Sequence, residues 1–296
     1  MLEGALQRMT VHPDNPARYE LVVEAPVGDS GRVEPRTLPL DPFTNKELQI
    51  EFNGLIICAA CAARTRRSYG EGHCYRCFKR LARCDLCVVS PARCHYAQGT
   101  CREPEWGETF CMQPHLVYLA NSSGPKVGIT TDGGQFVRWL DQGATQGLVV
   151  ARAATRHLAG VLEERLGRRV SDRTDWRALL HRDAAPVDLM ALREALRAGE
   201  ALPDGVRWLD DEAVVALQYP VLRYPRRLAR LKLEDEGTVR GRLLGVKGQY
   251  LLFDHGVLNV RRHRSYHVRV TVSEGAELPD PAAESVPPHS QMELFS

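Results

Sequence analysis

The sequence predicts an α+β fold, and three features indicate it. Short runs that alternate apolar and polar residues, such as YELVVE and ELQIEF early in the chain and QYLLFD and YHVRVTV late in it, are typical of strands. Between them, LAGVLEERL and VDLMALREALRAG repeat apolar residues at the three- and four-residue spacing of helices. Paired cysteines precede these helices and predict that bound metal completes the fold.

The chain divides into six predicted segments. Each terminal β segment has too few strands for a core of its own, so we expect the two to pair with each other. The last segment is rich in Pro, Ala and Glu and has few bulky residues, which predicts disorder. In order, the segments are an N-terminal β segment (1–52), cysteine modules (53–114), a small antiparallel sheet with flanking helices (115–182), a helical connector (183–230), a small C-terminal β unit (231–273) and the tail (274–296).

The composition is that of a protein with a packed interior. The 296 residues are 44 % hydrophobic, and the net charge of +2 provides no overall attraction for polyanions. Affinity for nucleic acid would therefore come from local clusters of arginine. No stretch reaches the roughly 18 apolar residues of a membrane helix, and the first residues lack the features of a signal peptide. We therefore expect a cytoplasmic protein with no membrane partner.

All nine cysteines fall between Cys58 and Cys111. A secreted disulfide scaffold of this length would distribute them more widely, so they are interpreted as metal ligands. Two C-x2-C pairs, Cys58 with Cys61 and Cys74 with Cys77, are separated by twelve residues. Two such turns facing each other complete a tetrahedral four-sulfur site, as in a zinc ribbon. The sequence therefore predicts a structural Zn²⁺ that folds this segment.

Further cysteines predict a second Zn²⁺ site. The candidates in chain order are Cys84, Cys87, Cys94 and Cys101. Cys111 or His115 could replace one of these, and His95 offers another nitrogen ligand. Because these ligands outnumber the positions of one tetrahedral ion, we expect one cysteine to be a small buried hydrophobic residue instead.

A hairpin with a tyrosine follows the cysteines. In HLVYLANSSGPKVGIT, Tyr118 lies in the first strand and KVGIT forms the second. Arg138 lies near the start of a predicted helix, and Glu163 lies in LAGVLEERL after a third strand, GLVVARA. This order of elements resembles the GIY-YIG nuclease superfamily over residues 115–182. The resemblance implies a small antiparallel sheet with flanking helices and phosphodiester cleavage.

The resemblance also implies a role for each residue. Glu163 would hold a catalytic Mg²⁺ or Mn²⁺, Arg138 would bind the phosphate, and Tyr118 would position or activate the attacking water. Lys126 stands where the superfamily usually has a second tyrosine; it would orient Tyr118 or lower its pKa, or else mark a loss of activity. Asp175 stands where an asparagine is usual. Without catalysis, Tyr118 would be a half-buried strand residue and Glu163 a solvated carboxylate.

Basic residues gather around this region. We weigh phosphate contact and ion pairing equally for them, because acidic residues are interspersed. The stretch ARAATRHLAGVLEERLGRR contributes Arg152, Arg156, Arg165, Arg168 and Arg169.

A wider resemblance covers nearly the whole chain. The segments RWLDQGATQG, DRTDWRALL, YPVLRYP and GVKGQYLLFDHGVLNVR are similar to a bacterial family that carries only a domain-of-unknown-function label. The similarity extends from about Ile50 to Val272. It implies a shared fold and brings no established activity.

The tail ends in a short motif. In SQMELFS, the residues Gln291, Leu294 and Phe295 resemble the peptide by which replication-associated proteins dock on the bacterial sliding clamp. The glutamine would make directional hydrogen bonds, and the leucine and phenylalanine would fill an apolar pocket.

The sequence therefore predicts a metal-dependent endonuclease that acts on DNA in repair or replication, near the clamp. The alternative is a non-catalytic, zinc-containing adaptor that binds DNA or RNA. The adaptor would bind with a steep dependence on salt and would not cut the strand.

Overall fold

A computed structural model describes residues 1–26, 33–170 and 174–273, and its mixture of strands and helices confirms the α+β class. Its strands are β1 (Leu2–Leu6), β2 (Thr10–His12), β3 (Arg18–Pro26), β4 (Val33–Pro39), β5 (Glu47–Ile57), β6 (Arg64–Thr65), β7 (His115–Asn121), β8 (Pro125–Thr131), β9 (Gln146–Ala153), β10 (Val206–Trp208), β11 (Val215–Ala216), β12 (Arg230–Leu231), β13 (Thr238–Lys247), β14 (Tyr250–Phe253), β15 (Gly256–Asn259) and β16 (Tyr266–Ser273).

Helices are shorter and lie mostly in the middle of the chain. They are α1 (Tyr75–Arg80), α2 (Leu86–Val89), α3 (Pro104–Phe110), α4 (Gln135–Asp141), α5 (Arg156–Gly167), α6 (Trp176–His181), α7 (Leu189–Arg197) and α8 (Leu233–Glu236). Turns of 3-10 helix occur at Asp41–Phe43, Ala82–Cys84, Pro91–Arg93, Tyr96–Gln98 and Arg261–His263. No helix in the described part of the chain is both long enough and apolar enough to span a membrane.

The two ends of the chain build one sheet. Among the described residues it has 11 strands, in the order β12-β15-β14-β13-β5-β16-β1-β3-β2, with β4 beside β3 and β6 beside β5. β13 and β16 from the C-terminal unit pair antiparallel with β5, and β16 also pairs with β1. The expected pairing of the two β segments is therefore present.

The core of this large sheet follows from alternation along its strands. In β3, Tyr19, Leu21 and Val23 point to the interior and are fully buried, two residues apart, as the strand period requires. They join buried residues of both ends of the chain, such as Leu48 of β5 and Val268 of β16. The core exists only when both terminal segments are in place.

A smaller sheet carries the predicted hairpin. Its order in the described structure is β10-β9-β7-β8, with β11 also beside β9. β7 lies between β8 and β9 and is buried along its whole length, because α5 and α7 cover one face and α4 the other. Burial on both faces explains why LVYLA is a continuous apolar run.

Residues 183–230 are less helical than expected. They contain α7, but also β10 and β11, which pair with β9. The helical pattern of VDLMALREALRAG is confirmed by α7, whereas VRW and VA form strands because the edge of β9 offers unpaired backbone groups.

A buried glutamine fastens the two sheets together. Gln249, 3 % exposed, lies between β13 and β14. Its amide donates to Asp141 Oδ1 at 2.8 Å and to the Met9 carbonyl at 3.1 Å, and its oxygen accepts from the Met9 N–H at 3.0 Å. The Tyr19 hydroxyl adds a bond to the Leu140 carbonyl at 3.3 Å. The end of α4 is thereby anchored to the large sheet.

Candidate active site and metal centre

Four cysteines converge as the sequence predicts. The Sγ atoms of Cys58, Cys61, Cys74 and Cys77, here named the first cysteine cluster, all lie within 4.8 Å of one another. Cys61 Sγ and Cys74 Sγ are 3.8 Å apart. Four Zn–S bonds of about 2.3 Å in a tetrahedron place sulfurs about 3.8 Å apart, so the spacing suits a metal such as zinc.

Two different local structures present these thiols. Cys58 and Cys61 lie in a tight turn after β5, where the Ala62 N–H donates to the Cys58 carbonyl at 2.9 Å and Ala62 has a φ of 56°. Cys74 is the N-cap of α1, and Cys77 lies in its first turn. The expectation was two facing turns; the second half-site is instead a helix start, whose N–H groups favour thiolates.

The pKa values of two thiols in this cluster show how a bound cation would act on them. Burial opposes ionisation of Cys58, but the N–H groups of Cys74, Ala60 and Cys61 lower its pKa to about 6. A hydrogen bond with Cys61, burial and the neighbouring thiols raise the pKa of Cys77 to about 12. The thiolate form is thus favoured at Cys58 and disfavoured at Cys77, and a bound Zn²⁺ would favour the thiolate form of both.

The other cysteines separate into two places. Cys84 packs against the first cysteine cluster, and its Sγ lies 3.5 Å from His73 Nδ1. The remaining four line one small cavity together with Asp85 and His95. They are Cys87, Cys94, Cys101 and Cys111, here named the second cysteine cluster. The structure therefore groups Cys111 with the later cysteines, whereas chain order suggests Cys84.

Tyr118, Arg138 and Glu163 come together from three elements. They lie on β7, α4 and α5, and the charges of Arg138 and Glu163 both act on the Tyr118 hydroxyl. Burial raises the pKa of Tyr118, Glu163 acts in the same direction, and a hydrogen bond with Arg138 opposes them. Tyr118 is fully buried, so its hydroxyl stays protonated and acts through hydrogen bonds.

A glutamine completes the contacts of this tyrosine. The Tyr118 hydroxyl donates to Gln142 Oε1 at 3.0 Å. Gln142 follows Arg138 by four residues and forms the C-cap of α4. That spacing places both side chains on one face of the helix, which is the sequence signal that could have identified it.

Gly128 makes room for the tyrosine ring. It pairs with Tyr118 across the β7–β8 ladder, so a side chain there would point to the same face. A Cβ at Gly128 would lie only 2.4 Å from the Tyr118 hydroxyl oxygen. The glycine of KVGIT is therefore required by the ring opposite it.

Lys126 and Asp175 lie near the turn between β7 and β8, where the Asp175 N–H donates to Ser123 Oγ at 2.8 Å. Lys126 is 5 % exposed and pairs with Ala120, and its Nζ donates to Thr174 Oγ1 at 3.1 Å. Asp175 caps α6 by accepting from the Arg177 N–H at 2.9 Å. Lys126 thus contacts Thr174, whereas the Tyr118 hydroxyl donates to Gln142.

Arginines from distant parts of the chain surround this site. Burial and then the charge of Arg261 lower the pKa of Arg8, with Arg138 and Arg264 acting in the same direction. Nearby acids interrupt the positive charge, since Arg8 pairs with Asp141 and Arg261 with Glu71. Arg8 and Arg138 are 130 positions apart in the sequence, so only the pairing of the sheets reveals this group.

Two of the other predicted basic residues are engaged in ion pairs. Arg152 Nε lies 2.9 Å from Asp132 Oδ2, and Arg165 Nη1 lies 3.5 Å from Glu200 Oε1. Such exposed pairs contribute little to stability, and they turn these cations towards the protein.

A family model described as protein of unknown function (DUF2797) matches residues 45–268. The chain belongs to the DUF2797 family. No curated protein matches it. No solved structure matches it either, so the GIY-YIG resemblance stays a prediction.

The match shows which features of this DUF2797 protein belong to the family region. That region runs from just before β5 into β16 and contains both cysteine clusters and the small sheet. Tyr118, Arg138 and Glu163 lie inside it, whereas Arg8 lies before it. Gln291, Leu294 and Phe295 lie after it and outside the described residues.

Proposed function

We propose that this protein is a cytoplasmic, metal-dependent endonuclease that cleaves DNA at the site formed by Arg138 and Glu163. The observation that carries the proposal is the convergence of Tyr118, Arg138 and Glu163 from three separate elements. A carboxylate beside an arginine is the minimum that such chemistry needs. The carboxylate holds a divalent cation, and the guanidinium binds phosphoryl oxygens.

Each residue has a part in this proposal. Glu163 would be the protein ligand of Mg²⁺ or Mn²⁺, which neutralises the phosphate charge and steadies the leaving oxygen. Arg138 would bind the scissile phosphate. Tyr118 is buried and hydrogen-bonded to Gln142 and to Arg138, so we assign it to positioning the guanidinium rather than to taking a proton.

The positive charge around Arg138 favours the binding of a polyanion such as nucleic acid. The net charge of +2 is small, yet the positive charges of Arg138, Arg261 and Arg264 all act on Arg8. Such local clustering holds a nucleic-acid backbone without a basic chain overall. Binding should therefore weaken as salt rises, with a slope set by the number of phosphates contacted.

A cleavage assay on duplex, flap, branched and single-stranded DNA with Mg²⁺ or Mn²⁺ tests the proposal. Glu163→Gln and Arg138→Ala should each lower the rate by about 10²–10³-fold at unchanged folding. Glu164→Gln is the matched control, because Glu164 is exposed and pairs only loosely with Arg168 at 3.8 Å. Equal rates for the Glu163 and Glu164 variants would refute the assignment.

The adaptor function is the second candidate, and the burial of Tyr118 favours it. A fully buried tyrosine, with Lys126 held by Thr174, is compatible with a site that binds phosphate without cutting. Tight, salt-sensitive binding without cleavage of any substrate would establish it. An RNA competitor in the same experiment decides between the two nucleic acids.

We also propose that the tail docks on a sliding clamp through Gln291, Leu294 and Phe295. The support is the sequence motif at the end of a Pro-rich segment. Clamp capture by the full chain should be lost in a Leu294→Ala, Phe295→Ala double variant, while DNA binding is retained. Capture that both substitutions leave unchanged would refute the docking.

A further inference from the structure

We propose that the second cysteine cluster holds a second structural Zn²⁺, which supports the helix that carries Glu163. This inference concerns metal binding and does not depend on whether the protein cleaves nucleic acid.

The four thiols of the second cysteine cluster face one cavity. Cys87 lies in α2, Cys94 ends the turn Pro91–Arg93, Cys101 lies shortly before α3, and Cys111 ends α3. All four line a single cavity of about 10 Å³, the scale of one small ion or water.

The segment that carries these thiols has little apolar core. The segment from 82 to 111 consists of short helices and 3-10 turns, and among its described residues only a few are fully buried. Helices of four to seven residues are not stable by themselves. A closed four-sulfur zinc site supplies the free energy that a small apolar core cannot.

The side chains next to the thiols differ from them in their hydrogen bonds. Asp85, Cys87 and His95 are the three side chains at this cavity whose ligand atoms lie within 4.8 Å of one another. However, Asp85 accepts from the Leu86 N–H at 2.6 Å and from Arg102 Nε at 2.6 Å. His95 is placed between Thr100 and Asp85. These side chains already have partners, so we assign them to the surroundings of the ion and the thiols to its coordination.

Arg156 and Gly160 connect the second cysteine cluster to α5. The Arg156 guanidinium donates to the Cys87 carbonyl at 2.9 Å and to the Val88 carbonyl at 2.7 Å. The backbone N–H of Arg156 donates to the Cys111 carbonyl at 2.8 Å. At Gly160, a Cβ would lie 2.4 Å from Pro91 Cβ, so α5 packs directly on this segment. Four thiolates on Zn²⁺ carry a net charge of about −2, and Arg156 provides compensating charge beside them.

Metal analysis of the purified full chain provides the test. The wild type should contain two zinc ions per chain. A Cys94→Ser, Cys101→Ser variant and a Cys61→Ser, Cys74→Ser variant should each retain one. Cys84→Ser is the matched control and should retain two, because this thiol lies outside both clusters of ligands. One zinc per chain in metal-replete wild type would overturn the proposal.

Cobalt substitution gives a second readout that requires no mutation. In the wild type, the thiolate-to-cobalt charge-transfer intensity should correspond to eight sulfur ligands, four for each cluster. With two cobalt ions bound, an intensity equivalent to about five sulfur ligands would mean that Asp85, Cys87 and His95 hold the second ion. That result would refute the cysteine assignment. Loss of the second ion should also raise the rate of amide hydrogen exchange in α5, because Arg156 of α5 bonds to the segment that carries the thiols. An unchanged exchange rate would refute the proposal that this ion supports α5.

Discussion

A methyl group at Gly128 tests the packing of the candidate site. In Gly128→Ala, the new Cβ would lie 2.4 Å from the Tyr118 hydroxyl oxygen and 2.6 Å from its Cζ, about 1 Å inside normal contact. The ring has no free space to enter, because Trp139 packs against it with ring centroids 6.0 Å apart and Tyr118 is fully buried. Overpacking of this kind costs about 1–3 kcal/mol, and we expect a value near 2–3 kcal/mol.

A double-mutant cycle isolates this contact. In a Tyr118→Leu background the ring is gone, so Gly128→Ala should cost less than about 0.5 kcal/mol, which gives a coupling of about 2 kcal/mol. Urea denaturation followed by tryptophan fluorescence measures both, since Trp139 adjoins the site. If Gly128→Ala lowered the free energy of unfolding equally in both backgrounds, or not at all, the ring would not lie where the structure places it.

Four further outcomes are expected. Asp183→Ala removes the carboxylate 2.7 Å from the fully buried Lys247 amine, so unfolding free energy should fall by about 2 kcal/mol, less than for a fully buried pair because Asp183 is exposed. Partial desolvation opposes ionisation of Asp183, but the hydrogen bond with Lys247 lowers its pKa, so the stability from this pair should be lost as pH falls below about 4. Asp183→Asn should remove this dependence in acid denaturation. A strong chelator should lower the melting temperature, and zinc should restore it; Cys61→Ser should make the protein less sensitive to both. Arg264→Gln should reduce the salt dependence of DNA binding, measured by anisotropy, and an unchanged slope would exclude Arg264 from the interface.

Much of the fold follows from local patterns. The hairpin of β7 and β8, the helix around Glu163 and the first cysteine cluster depend on residues close in sequence, where alternation, helical spacing and C-x2-C turns carry the information. The expectation that the terminal segments share a sheet also came from the sequence, because neither has enough strands alone.

Other features required contacts between distant residues. Cys111 joins Cys87 only because α3 packs on the turn Tyr96–Gln98, where the Tyr96 hydroxyl donates to Glu108 Oε1 at 2.8 Å, a choice that cysteine spacing does not encode. Arg8 approaches Arg138 because β1 pairs with β16 and Gln249 fastens the large sheet to α4. The sequence by itself determined which residues could ligate metal or bind phosphate. The tertiary structure decided which of them meet, since such meetings depend on long-range packing rather than on local backbone preference.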